Sequence, residues 1–181
     1  MLAAWPGLPD PNFERTVLLL CGHTEDGAYG LVLNRGLELT LAQLLPDHPV
    51  ASQLTTTVQL GGPVEHARLQ FVHMLPGRIR GGSEICTGLW LGGDLDDLAE
   101  VLLESQEGRA PRPAVRPFLG YAGWTGGQLD RELVEGSWMP AAFDARAVFE
   151  DGGEEVWEAV VERADPERRA PESDLGDESA N

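Results

Sequence analysis

Between residues 10 and 35 the chain reads DPNFERTVLLLCGHTEDGAYGLVLNR, a stretch dense in side chains able to do chemistry. Cys21 and His23 stand two residues apart. On a regular strand they share a face, which is the spacing of a nucleophile and its base. His23 by itself is a candidate metal ligand, but no matched second ligand pair such as H-x-x-x-H accompanies it. Asp10 and Arg15 flank the turn formers Pro11, Asn12 and Phe13. Asp10 suits an Asx-type cap of that turn. Arg15 is a planar fork, either for a ligand carboxylate or phosphate or for a carboxylate of the protein itself. In so acidic a chain the internal pair is the expected use. Asn34 closes the stretch at a strand end.

Further candidates lie downstream. His73 in FVHM can point away from its apolar neighbours into a pocket. For His23 and His73 the favoured reading is a hydrogen-bonded histidine that fixes a strand end. His48 and His66 read as solvated surface. Gly61 and Gly62, followed by Pro63, expose backbone N–H groups after a strand, which makes either an anion nest or simply a sharp turn. Tyr121, Trp124 and Trp138 bracket a segment in which Thr125 and Gln128 have capping-box spacing. These aromatics line a pocket or, as the commoner use, fill the core. No P-loop, G-x-S-x-G elbow, H-E-x-x-H or strand-to-helix G-x-G-x-x-G occurs. No catalytic residue, metal or cofactor is assigned. The ligand-binding candidates are Asp10, Arg15, His23, Asn34, Gly61, Gly62, His73, Trp124 and Gln128.

The elements that must position these residues follow from periodicity. Residues 16–21 are a continuous apolar run with β-branched members and read as a buried strand. Residues 29–34 read as its hairpin partner. A short helix is expected over 39–45, with Thr40 near its start and Pro46 after it. Strands are expected over 56–60, 69–74 and 85–91. Asp94 is the expected N-cap of a helix over 95–104. Residues 115–121 read as an edge or bulged strand, because Pro117 lies inside them. A helix is expected over 126–135, a last short strand over 146–149, and a helix over 154–164. The end, residues 165–181, has six acids against two arginines and is expected to be disordered. Strands outnumber helices without strict alternation. The reading is a single mixed α/β (α+β-like) domain over 1–164, not a doubly wound nucleotide fold.

Composition narrows the partners. The net charge is −17, and all 13 basic residues are Arg. Such a charge disfavours direct nucleic-acid binding and anionic membranes, since both need basic side chains. The absence of Lys removes Schiff-base and P-loop lysine chemistry. No apolar run reaches the roughly 18 residues that span a bilayer, and the start lacks a secretory pattern, so a cytoplasmic protein is expected. Cys21 and Cys86 belong to no C-x-x-C pair and read as reduced, buried thiols.

Four blocks now assemble into a pattern: PGLPDPNFERTVLLLCGHTEDGAYGLVLNR, LGGPVE, FVH and GYAGWTGGQLDRELVEGSW. In order and spacing they resemble the YqgE/AlgH family of bacterial proteins, over about residues 6–138. The chain departs from the family at Gly22, where members usually carry a larger, often acidic residue, and at Gly36, where Pro often follows. The resemblance implies one domain whose strongly bent, branched sheet forms a pseudo-barrel flanked by helices. It also implies mostly uncharacterised activity, with one branch described as a transcriptional regulator linked to exopolysaccharide production.

Three functions follow in order of support. The first is a non-enzymatic binding or regulatory module, acting through a protein or small-molecule partner. The second is an enzyme with a cleft lined by Asp10, Arg15, His23, Asn34 and His73. The third is DNA-linked regulation, which rests on the resemblance alone. Geometry separates the first two, because an active cleft requires those side chains to converge.

Overall fold

The apolar runs of the N-terminal stretch pair as a hairpin, β2 (Val17–Thr24) against β3 (Gly27–Val32), in register from Leu18↔Val32 to Thr24↔Gly27. The computed structural model describes residues 1–150 and 152–165. Around the hairpin stand β1 (Leu2–Ala4), β4 (Gly36–Thr40), α1 (Leu41–Leu44), β5 (Thr57–Leu60), β6 (Val64–His73), β7 (Ser83–Cys86) and β8 (Leu89–Leu91). Then come α2 (Leu95–Gln106), β9 (Val115–Thr125), α3 (Gln128–Val134), β10 (Trp138–Pro140), α4 (Ala145–Phe149) and α5 (Glu154–Ala164). The described strands form one sheet in the order β10-β1-β2-β3-β9-β6-β8-β7, with β5 also bonded to β9 and β4 to β5. The sheet therefore branches at β9. The β5–β9 pair is parallel and the other pairs are antiparallel. The result is a mixed α/β domain with a large, mainly antiparallel sheet flanked by helices.

Several expectations hold. Thr40 caps α1 in a full capping box with Gln43. Asp94 caps α2 by accepting from the Asp97 N–H. Helix α5 buries Trp157, Val160 and Val161, as their helical spacing requires.

Others need correction. Residues 146–149 are helical, because the Asp144 side chain accepts from the Arg146 N–H and starts α4 there. The run 85–91 is two strands, β7 and β8, with a turn at Thr87-Gly88 between them. Strand β9 is central, bonded to β3, β5 and β6, and Pro117 lies one residue before its first β5 partner, the Gln59↔Phe118 pair. Strand β6 starts at Val64, directly after Gly61-Gly62-Pro63. Helix α3 starts only at Gln128, with Gly127 in the left-handed region as its N-cap. Of the capping box, the Gln128 side chain accepts from the Thr125 N–H, while the return bond from the Gln128 N–H is not formed. Cys86 is exposed and Cys21 is half-buried. The expected disordered tail lies, from residue 166 onward, outside the described residues.

Three apolar clusters share the sheet. The first holds Val17, Leu19, Leu31, Leu33, Val72 and Phe118 against Ala147 and Val148 of α4 and Trp157 and Val160 of α5. The second lies under α1 and α2 and includes Phe71, Leu98 and Leu119. The third holds Leu18, Ala28, Trp124, Leu129 and Trp138. Two irregularities switch faces. At the bulge in β2 between Leu20 and Gly22, Cys21 is the extra residue. At Gly120 (φ 69°) β9 kinks, so Leu119 faces the second cluster while Tyr121 packs on the first.

Candidate functional site

The sequence candidates occupy separate places. Asp10 accepts from the Asn12 N–H at 2.9 Å, the expected Asx turn. Asn34 is buried: its Oδ1 accepts from the Val17 N–H (2.9 Å), while its amide nitrogen donates to the Arg15 carbonyl (2.9 Å) and the Gly153 carbonyl (3.1 Å). It ties the N-terminal turn, β2 and the start of α5 together. Arg15 donates to Glu154 of α5 at 2.6 Å and lies 5.7 Å from the Trp157 ring centroid. Its partner is therefore an internal carboxylate.

The bulge decides the relation of Cys21 to His23. Cys21 packs toward the first cluster, whereas His23 pairs with Ala28 on the α3 side and sits 3.2 Å from Asp130. The two side chains thus leave the strand on opposite faces. Burial and the nearby Cys86 push the Cys21 thiol up to about 12, so it is no thiolate at neutral pH.

His73 is fully buried. Its Nδ1 accepts from the Leu75 N–H (3.1 Å) and its Nε2 donates to the Gly92 carbonyl (3.1 Å), an arrangement that selects the neutral Nε2–H tautomer. Burial lowers its pKa, and the Gly92 bond only partly opposes that. His48 is not the solvated residue expected: its Nδ1 accepts from the Val50 and Ala51 N–H groups, and its Nε2 faces Asp96 at 3.2 Å.

Gly61 and Gly62 are where they are because β9 leaves no room. A Cβ at Gly61 would lie 2.3 Å from the Gly120 carbonyl oxygen, and one at Gly62 would lie 2.2 Å from the Tyr121 backbone. Trp124 and Trp138 both donate their ring N–H to Glu132 Oε2 at 2.8 Å, and the Gln128 amide donates to Glu132 Oε1 at 2.9 Å. Glu132 was not singled out from the sequence. Its signal is a carboxylate one helical turn after Gln128, between two tryptophans.

None of Asp10, Arg15, His23, Asn34 or His73 lines the largest described cavity, a cleft of about 950 Å³. Its floor is Gln59 on β5 and Arg116 on β9, beside Gly36 and Leu37 of β4; α4 and α5 wall it with Ala147 and Val156 among others. The register explains the placement. Gln59 pairs with Phe118, and Arg116 precedes Phe118 by two, so all three share the face turned toward α4 and α5. Arg116 is 4% exposed and donates to the carbonyls of Val148 (2.9 Å) and Ala147 (3.4 Å), closing the C-terminal end of α4. Gln59 is 5% exposed and lines this cleft, so the little of it that solvent reaches opens there and into the neighbouring cleft. At the rim Asp144 pairs with Arg163 at 2.5 Å, which holds α4 to α5. A smaller cleft of about 300 Å³ shares Thr57, Gln59 and Arg116. The sequence carried a signal for both floor residues, since each is polar at an interior position of an apolar strand.

Among the described residues no group of three His, Cys, Asp or Glu is placed to hold a metal ion. No helix among them is long and apolar enough to cross a membrane.

Known proteins share this architecture. A UPF0301 protein of Chlorobaculum tepidum is 37% identical over 161 residues, covering 89% of this chain and 83% of its own. A UPF0301 protein of Chlamydia trachomatis is 34% identical over 164 residues, with 90% and 83% covered. The solution structure of the AlgH protein from Pseudomonas aeruginosa superposes with a TM-score of 0.69 at 31% identity, over 99% of this chain and 92% of that one. A crystal structure of a Corynebacterium diphtheriae protein gives a TM-score of 0.70 at 24% identity, over 90% and 84%, and so shares the fold. The AlgH-like family model matches residues 1–169, and the chain belongs to that family.

Proposed function

We propose that this protein is a non-enzymatic binding module whose small ligand occupies the cleft between the β4–β5–β9 branch and helices α4 and α5. The observation that carries this reading is Gln59. A polar side chain that is 5% exposed and lines a 950 Å³ cleft offers its amide to a ligand held there. The amide both donates and accepts, so the ligand's buried end carries an acceptor and a donor, as a carboxamide does. Leu37, Val156 and Ala159 give its remainder an apolar wall. The two free thiols fit a reducing, cytoplasmic setting.

Binding without conversion is supported by a lining that carries no imidazole or thiol, and in which Asp144 is paired with Arg163 and Glu150 with Arg146. The test compares wild type with Gln59→Leu, using small-molecule fractions from the host. At least one fraction should raise the thermal midpoint of wild type and leave Gln59→Leu unmoved, and the bound compound should be recovered unchanged. Equal shifts in both proteins, or a chemically altered compound, would refute the proposal.

A further inference from the structure

A second cavity, of about 520 Å³, has a different chemistry. Tyr29 of β3 and Tyr121 of β9 stand there with ring centroids 4.9 Å apart and planes tilted by 39°. Arg68 of β6 lies 5.7 Å from the Tyr121 centroid and also lines the cavity. Gln70 belongs to its lining and is fixed by donating to the Gly120 carbonyl at 3.2 Å. The Tyr29 hydroxyl is buried and has no hydrogen-bond partner among the described residues. Burial, chiefly, drives its pKa upward, so the phenol keeps its proton and is a donor lacking an acceptor. Gln70 and Gln59 flank Phe118 from opposite sides in register, so the core ring of Phe118 stands between this cavity and the cleft over Gln59.

Three observations point to one ligand chemistry. Tyrosine faces accept a flat ring. The guanidinium over Tyr121 is a planar fork for a carboxylate. The Tyr29 phenol needs an acceptor. We propose that this cavity is a second ligand site, separate from the cleft over Gln59, and that it takes a small aromatic carboxylate with its ring against Tyr121 and Tyr29 and its carboxylate on Arg68 and the Tyr29 hydroxyl. Glu65 holds Arg68 at 3.2 Å and is the internal competitor for it.

The experiment titrates the full-length chain with benzoate, with cyclohexanecarboxylate, benzyl alcohol and benzylamine as controls. Binding is read by calorimetry and by the ring signals of Tyr29 and Tyr121 in NMR. Benzoate should bind and move both tyrosines, and each control should bind at least about tenfold more weakly. Arg68→Gln should weaken benzoate by about tenfold or more, as for loss of a charge-assisted pair. Tyr29→Phe should weaken it by about fivefold, as for a neutral hydrogen bond, while its thermal midpoint stays at or above that of wild type, because the lost hydroxyl had no partner. Glu65→Gln should tighten binding. Gln59→Leu should leave it unchanged, which keeps this site's fate distinct from that of the cleft. Absence of benzoate binding at millimolar concentration would overturn the proposal, as would equal affinity for cyclohexanecarboxylate or insensitivity to Arg68→Gln and Tyr29→Phe.

Discussion

At the scale of single residues, the polar groups of the N-terminal signature hold backbone together. Asn34 illustrates the point, since its three hydrogen bonds join β2, the Arg15 turn and the residue before α5. Asn34→Ala leaves one buried donor and two acceptors without it, and should cost about 3 kcal/mol or more in denaturant unfolding. Asn34→Asp should be comparably harmful, because a carboxylate would face the two carbonyls. His73 makes a pH prediction. Its folded pKa lies below its ordinary value of 6.5, so the unfolded chain binds the proton more readily. The stability it contributes is present above pH 6.5 and declines as pH falls toward the lowered folded value. Unfolding free energy measured between pH 7 and 5 should drop more steeply in wild type than in His73→Gln. A parallel pair of curves would show that His73 does not titrate in this way.

At the scale of elements, legibility followed the strength of the local pattern. The β2–β3 hairpin, α2 and α5 were readable because their apolar spacing and caps agree. Helix α4 was not, since a five-residue ARAVF run has no decisive period and depends on the Asp144 cap. The Cys21–His23 pair looked co-facial until the extra residue in β2 turned them apart, and nothing local in LLLCGHT announces a bulge. The cleft residues Gln59 and Arg116 come from β5 and β9, strands distant in sequence, so only the parallel pairing brings them together. Close strand packing sets a further prediction. Gly62→Ala would drive a Cβ to within 2.2–2.4 Å of the Tyr121 and Ala122 backbone. It should lower stability by about 3 kcal/mol or more through displacement of β9, read as a lower denaturation midpoint.

At the scale of the whole molecule, a charge of −17 acts on solubility and partners more than on fold. Screening should relieve self-repulsion, so the thermal midpoint should rise as salt increases from low ionic strength. Duplex DNA should show no binding at near-physiological salt in a polarisation assay; a measurable, salt-sensitive affinity would contradict that expectation. The overall architecture was legible through the family blocks, and the solved AlgH structure shares it. The location of the cleft was not, because α4 and α5 wall it from beyond the last of those blocks, which ends at Trp138. The most direct measurement of the central claim is native mass spectrometry of wild type and Gln59→Leu, each purified from the protein's own host. The account predicts a small-molecule adduct on wild type that is absent from Gln59→Leu, while both chains remain folded. No adduct on wild type, or the same adduct on both, would contradict it.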